Sequence, residues 1–124
     1  MASSCPFCHP DRPLLFEEDD GAFALYDAHP VSEGHVLVLP ERHVKSIFDL
    51  KWVEQEACAY MVGDVKEFLE KEYGAVAFNI GFNDGEAAGQ TILHAHIHVI
   101  PRYEGDVEDP RGGLRHLMPG KGYY

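Results

Sequence analysis

Apolar positions fall into five patterned stretches along the chain. Between residues 50 and 73 they recur at Leu50, Val53, Ala57, Met61, Val65, Phe68 and Leu69. Steps of three and four residues place these side chains on one stripe, which predicts a single long amphipathic helix lying on a core. Asp49 is placed to cap its start and Gly74 to stop it. Gly63 weakens the middle by about 1 kcal/mol relative to alanine, which a close packing contact there would explain although the sequence does not show one. Short β-branched and apolar runs predict strands at 22–26, after an Asp19-Asp20-Gly21 turn, at 35–39, ended by Pro40, and at 75–80. Residues 27–34 read as a connecting turn and 81–89, with three glycines, as a loop. The last strand is predicted over 91–101, where His94, His96, His98 and Ile100 alternate with Ala95, Ile97 and Val99. Strands on both sides of one helix predict an α+β domain with a mostly antiparallel sheet.

The two ends carry little periodicity. Residues 1–13 hold three prolines and the pair Cys5 and Cys8, and read as irregular chain pinned by a metal. Residues 104–124 are rich in glycine and proline and read as an irregular tail. No internal repeat or linker divides the chain, so residues 1–124 are taken as one domain. At 124 residues, a fold buries roughly two thirds of its unfolded surface. The composition, 45% hydrophobic and 25% charged, is too apolar for disorder. No apolar run approaches the ~18 residues of a membrane span, and no basic-then-apolar leader opens the chain. A cytoplasmic protein without membrane contact is expected.

Charge narrows the partners. The formal net charge of −11 repels a polyanion, so nucleic-acid binding is disfavoured, whereas a local pocket can still take a small phosphate compound. The cluster Glu17-Glu18-Asp19-Asp20 reads as a solvated turn. Cys58 reads as a small buried hydrophobe on the helix, Trp52 as a packing residue, and His116 as a tail residue with no evident partner.

The histidine run changes the picture. On a strand, alternate side chains share a face about 6.6 Å apart, so His94, His96 and His98 project together while Ala95, Ile97 and Val99 face the helix. Three aligned imidazoles each need a polar or metal partner. They are open to three readings: satisfied structural residues, a three-histidine catalytic metal site, or a nucleophile for phosphorus. Gly89, Gln90 and Thr91 just before the run offer N–H groups, an amide and a hydroxyl to an oxyanion, which favours the third. Neither a P-loop nor a dinucleotide-binding glycine motif is present.

The segment Gly89-Gln90-Thr91-Ile92-Leu93-His94-Ala95-His96-Ile97-His98 resembles the signature of the histidine-triad (HIT) nucleotide hydrolases and transferases. A second segment, Asp27 with His29-Pro30-Val31-Ser32-Glu33-Gly34-His35-Val36-Leu37-Val38-Leu39-Pro40 and then His43, fits the same family. The resemblance spans most of residues 5–102. It implies the HIT fold, usually a two-fold dimer that pairs long helices and extends the sheet. It implies His96 as nucleophile toward the α-phosphorus, giving a nucleotidyl-histidine that water hydrolyses. A neutral imidazole suits this at pH 7, provided its second nitrogen keeps a proton held by a backbone carbonyl. His98 and His35 would contact phosphate oxygens or the leaving group. Asn83, Gly89, Gln90 and Thr91 would contact phosphates, Asp27 the ribose, and Phe7 and Leu25 the base of a purine nucleotide.

Cys5-Pro6-Phe7-Cys8 supplies two soft ligands but cannot alone close a tetrahedral site, and the prolines that follow weigh against a helix-opening redox pair. Zinc-containing HIT proteins resemble this chain in adding two distant histidines, which implies Cys5, Cys8, His43 and His94 around structural zinc, with His9 as the competing ligand. No organic cofactor is expected. The implied reaction is hydrolysis of dinucleoside polyphosphates, or of AMP esters and phosphoramidates. Nucleotidyl transfer to a phosphate acceptor and non-catalytic purine-nucleotide binding are the alternatives. Arg102, Tyr103, residues 110–113 and Arg115 either bring positive charge toward the leaving group or belong to a solvated tail.

Overall fold

The computed structural model describes residues 5–17 and 21–123. Asp19, Asp20 and Glu18, and with them most of the acidic cluster, lie outside the described residues. The described chain forms β1 (Phe16–Glu17), β2 (Ala22–Tyr26), β3 (Val36–Pro40), α1 (Trp52–Tyr73), β4 (Ala77–Gly81) and β5 (Ile97–Arg102). The strands lie in the order β1-β2-β3-β5-β4, and every pairing is antiparallel. No described helix is long and apolar enough to cross a membrane.

Period two explains why both faces of β2 and β3 are buried. Ala22, Ala24, Val36 and Val38 face α1, meeting Ala57, Cys58, Met61, Val65 and Leu69, with Ala95 and Val99 in the same cluster. Phe23, Leu25, Leu37 and Leu39 face the other way and are covered by Cys5 and Phe7 of the N-terminal segment. The expected helix stripe is borne out at Ala57, Met61, Val65 and Leu69, as is the buried Cys58, whereas Val53, counted in that stripe, is 62% exposed and Phe68 only partly buried. The N-terminal segment acts as a lid on a second, smaller core.

Three local expectations are corrected. First, α1 begins at Trp52, not Leu50, and Asp49 does not cap it. A 3-10 turn, Ile47–Asp49, comes first, with Ser46 Oγ accepting from the Phe48 N–H at 3.1 Å. Leu50 is extended, and the Lys51 N–H donates to Glu54 Oε1 at 2.8 Å. At the other end Gly74 is left-handed at φ 71° and ends the helix as expected. Second, nothing within 4 Å would meet a Cβ at Gly63, which is exposed, and Trp52 is 78% exposed. The glycine in close contact lies in the loop instead: Gly34 (φ +89°) packs against α1, where a Cβ would lie 3.2 Å from Leu69 Cδ2 and 3.3 Å from Tyr73 Cδ2.

Third, the histidine strand starts late, at Ile97. The β3–β5 register pairs Val36 with Val99 and Val38 with Ile97. The next pair would set Ala95 against Pro40, which has no N–H to give. The ladder stops there, and the Ala95 N–H turns to the Val44 carbonyl at 2.7 Å. His94 and His96 thus sit on bent chain beyond the strand end.

Candidate functional site

The bend separates the triad into two environments. His94 is fully buried, and its Nε2–H donates to the Pro40 carbonyl at 2.8 Å. That bond leaves the Nδ1 lone pair free, and Nδ1 lies 3.5 Å from Cys5 Sγ, 3.5 Å from Cys8 Sγ and 3.2 Å from His43 Nδ1. Cys8 Sγ is 3.2 Å from His43 Nδ1. Cys5, Cys8, His43 and His94 form a group able to hold a metal ion, and His9 is not part of it. With metal bonds near 2.3 Å to sulfur and 2.0–2.1 Å to nitrogen, tetrahedral ligands sit about 3.6 Å apart for S–N and about 3.3 Å for N–N. The donor set fits such an ion. The carbonyl held by His94 Nε2–H orients the ring as an outer partner of a metal ligand does.

His96 is half-buried, with its ring centroid 5.0 Å from that of Phe7 and 5.2 Å from that of His98. Its Nδ1 is 2.8 Å from the His94 carbonyl. A carbonyl only accepts, so Nδ1 carries the proton and Nε2 presents a lone pair with no partner among the described residues. The main-chain group fixing this tautomer belongs to the same residue whose side chain joins the cysteine cluster.

His35 and His98 form a second pair, 3.0 Å apart between His35 Nε2 and His98 Nδ1. The Val31 N–H points at His35 Nδ1 at 3.2 Å. Nδ1 therefore accepts, the neutral ring carries its proton on Nε2, and that proton is donated to His98 Nδ1. His98 in turn bears its proton on Nε2, as a donor. Asp27 sits beside both rings, its Oδ2 3.5 Å from His35 Nε2 and 3.8 Å from His98 Nδ1, while Oδ1 accepts from the His29 N–H at 2.8 Å. Asp27, His35 and His98 lie close enough to suit a cation, but the Val31 amide opposes this by directing the His35 proton toward the shared centre.

Burial sets the charge of this pair. His98 is pushed down to about 4, first by desolvation and then by His96 and His35, with Asp27 opposing; His35 is also lowered by burial, against Asp27. Both imidazoles are thus neutral at pH 7 in the folded protein. The unfolded chain binds protons at about 6.5, so between 6.5 and about 4 it holds more protons than the native state. Stability is complete above that window and is lost as pH falls through it. His98 alone accounts for roughly 3 kcal/mol by pH 4. Urea titrations from pH 7 to 4.5 should show this fall, and His98→Asn should flatten it; equal slopes in the two proteins would refute the assignment.

The remaining sequence candidates divide. Asn83 is half-buried and its amide has no partner among the described residues, as is true of the exposed Thr91 hydroxyl. Gln90 is 4% exposed and already committed: Oε1 accepts from the Gly85 N–H, and Nε2 donates to the Lys45 and Ile92 carbonyls. The Gly89 and Gln90 N–H groups are bonded to the Glu86 and Gly85 carbonyls. These groups shape the loop and are not free oxyanion donors. Leu25 has no exposed surface, so a base could reach it only if the N-terminal segment moved; Phe7 touches His96 directly.

Positive charge at the tail is likewise in use. Arg102 pairs with Asp106 at 2.7 and 3.0 Å and donates to Asn79 at 2.7 Å. The tail is more ordered than its composition predicts. It contains a 3-10 turn, Gly113–Leu117, and His116 does have partners: the Arg111 carbonyl and, 4.6 Å between centroids, the Tyr123 ring. The residues missed at the sequence level are Ser32 and Val31, whose contacts depend on chain 69 residues and 4 residues away respectively.

Known proteins similar to this chain share one family. The HIT domain matches residues 12–105. An uncharacterised HIT-like protein of Methanocaldococcus jannaschii is 40% identical over 93 residues, covering 73% of this chain and 70% of that protein. A bis(5'-nucleosyl)-tetraphosphatase [asymmetrical] of Schizosaccharomyces pombe is 41% identical over 86 residues, and an adenylylsulfatase of Arabidopsis thaliana 34% over 110. These alignments cover 69% and 86% of this chain but only 47% and 56% of the two relatives. A zinc-bound histidine triad family protein of Mycobacterium smegmatis superimposes with a TM-score of 0.77 at 31% identity, over 86% of this chain and 80% of that one. By the span of the matched domain, the identity to its relatives and the shared fold, the chain belongs to the histidine-triad (HIT) family.

Proposed function

We propose that this chain hydrolyses the phosphate bond of a purine nucleotide, a dinucleoside polyphosphate or an AMP ester or phosphoramidate, through a covalent nucleotidyl-histidine. The observation that carries this reading is the His96 Nδ1–H bond to the His94 carbonyl, which leaves Nε2 as a lone pair aimed away from the protein's own bonds. Nε2 attacks the α-phosphorus, forming a P–N bond as the P–O or P–N bond to the leaving group breaks. The His98 Nε2–H donates a hydrogen bond to the departing atom. Water then adds to phosphorus and gives up a proton to the departed group, directly or through solvent, while the imidazole leaves with the P–N electron pair and returns to its neutral Nδ1–H form. The positive ring of the intermediate is stabilised by the same His94 carbonyl. Asn83 and Thr91, with free polar groups, serve the phosphate oxygens; Asp27 serves the ribose, and Phe7 flanks the reacting ring. The relatives named as a tetraphosphatase and an adenylylsulfatase support this substrate class.

The cysteine–histidine cluster is assigned to structural zinc held by Cys5, Cys8, His43 and His94. Four protein ligands leave no position for substrate, so the ion would support the fold and take no part in the reaction. A homodimer is favoured by the edge position of β4 and the exposed Trp52, Val53 and Tyr60 on the outer face of α1. The cytoplasm is the setting in which paired cysteines bind metal in preference to forming a disulfide.

Product analysis tests the reaction. Diadenosine tetraphosphate, adenylyl sulfate and an AMP phosphoramidate are each incubated with the protein, with and without inorganic phosphate. Release of AMP under both conditions is expected. Formation of ADP at the expense of AMP when phosphate is present would make it a transferase. Tight AMP binding with no turnover of any of the three would make it a binding protein.

A further inference from the structure

β3 begins at Val36, opposite Val99, so β5 continues past it without a partner on that side. The Pro101 carbonyl would be left without a strand donor there, and the Ser32 hydroxyl supplies one at 2.8 Å. Ser32 thereby ties the loop of residues 27–34 to the strand that carries His98. Its own carbonyl accepts the His35 N–H at 3.2 Å, and the preceding residue's N–H is the one that meets His35 Nδ1, also at 3.2 Å. On the far side, the Tyr103 hydroxyl holds the Glu33 carbonyl at 2.6 Å. Without the Ser32 hydroxyl the loop stays attached through Tyr103, while the exposed Pro30–Val31 peptide, which carries the Val31 N–H, is free to turn. Val31 itself contributes no packing that would hold it, being 72% exposed.

We infer that Ser32 is a positioning residue: by anchoring its loop to β5 it keeps the Val31 amide on His35 and so dictates that His98 offers Nε2–H to the leaving group. The chain of bonds runs from the Val31 N–H to His35 Nδ1 and from His35 Nε2–H to His98 Nδ1. Each link accepts on one nitrogen and donates from the other, so one amide at the loop sets the tautomer of both rings. Should that amide turn away, His35 is free to carry its proton on Nδ1, and His98 loses the donor that fixed it.

The kinetic part of this inference rests on the hydrolase reading; the tautomer part does not. The test is nitrogen-15 NMR of labelled histidines in the protein as purified, alongside steady-state kinetics on adenylyl sulfate. In the parent, His35 and His98 are expected as pure Nε2–H tautomers. Ser32→Ala should show mixed tautomers at both rings and a kcat lower by about tenfold at little-changed KM, because a misplaced donor weakens the transition state more than substrate binding. Ser32→Thr, which restores the hydroxyl, should recover both signals. An Nδ1–H tautomer at His35 in the parent would overturn the inference, as would Ser32→Ala with parental tautomers, or altered tautomers with parental kcat.

Discussion

His96→Ala is expected to lower turnover of a nucleotide substrate by roughly a thousandfold or more while leaving the protein folded. The asymmetry follows from what the side chain touches. Its one hydrogen bond to the protein, Nδ1–H to the His94 carbonyl, contributes about 1 kcal/mol. Its ring meets Phe7 and His98 edge-on, and both retain their other partners. Loss of the ring therefore removes little from the core, whereas it removes the atom proposed to bond to phosphorus. Rapid mixing followed by mass spectrometry should find a nucleotidyl adduct in the parent and none in the variant. His98→Ala should retain the adduct but form it more slowly, by about a hundredfold, since it loses only a proton donor. Unimpaired hydrolysis by His96→Ala would move the chemistry to another side chain.

The largest expected effect on stability belongs to Cys8→Ala. It removes one of four converging donors and should reduce zinc from about one per chain to a small fraction. Metal binding to such a site is coupled to folding, because the ligands are apart in the unfolded chain. Cys5 and Cys8 lie on the segment that covers Phe23, Leu25, Leu37 and Leu39, and Phe7 of that segment is 5% exposed. Releasing it uncovers Phe7 and much of the second core at a cost of about 4 kcal/mol, a fall of about 15 °C in Tm. Activity should drop as well, because His94 both joins the metal group and supplies the carbonyl that fixes His96. Chelation of the parent protein should reproduce all three changes. Full zinc occupancy and an unchanged Tm in Cys8→Ala would reject the ligand assignment.

These two experiments also separate the roles of neighbouring histidines that the spacing alone makes look equivalent. On a regular strand, three imidazoles at every second residue would share one face. In the structure they divide because Pro40 ends the β3–β5 ladder before Ala95. His94 bends inward to the cysteines, and His96 and His98 remain on the open face. Proline at 40 was legible as a strand stop; that it also receives His94 Nε2–H was not.

What the sequence determined by itself is what short-range spacing can carry. The 3.6 and 2.0 periods marked the helix and the strands, and alternation put Ala95 and Val99 under α1. The extended histidine signature with its flanks pointed to a family, and the pair Cys5 and Cys8 to a metal group needing distant partners. The tertiary structure decided everything that depends on chain returning from far away. It brought His43 and His94 to the cysteines, bound the Gln90 amide to the Lys45 carbonyl, and set Ser32 on Pro101. The reason lies in the range of the forces. Local pattern follows from covalent geometry and recurs in any chain with that spacing, whereas a hydrogen-bond donor has no assigned acceptor until packing of the core has fixed which backbone groups are left without a strand neighbour.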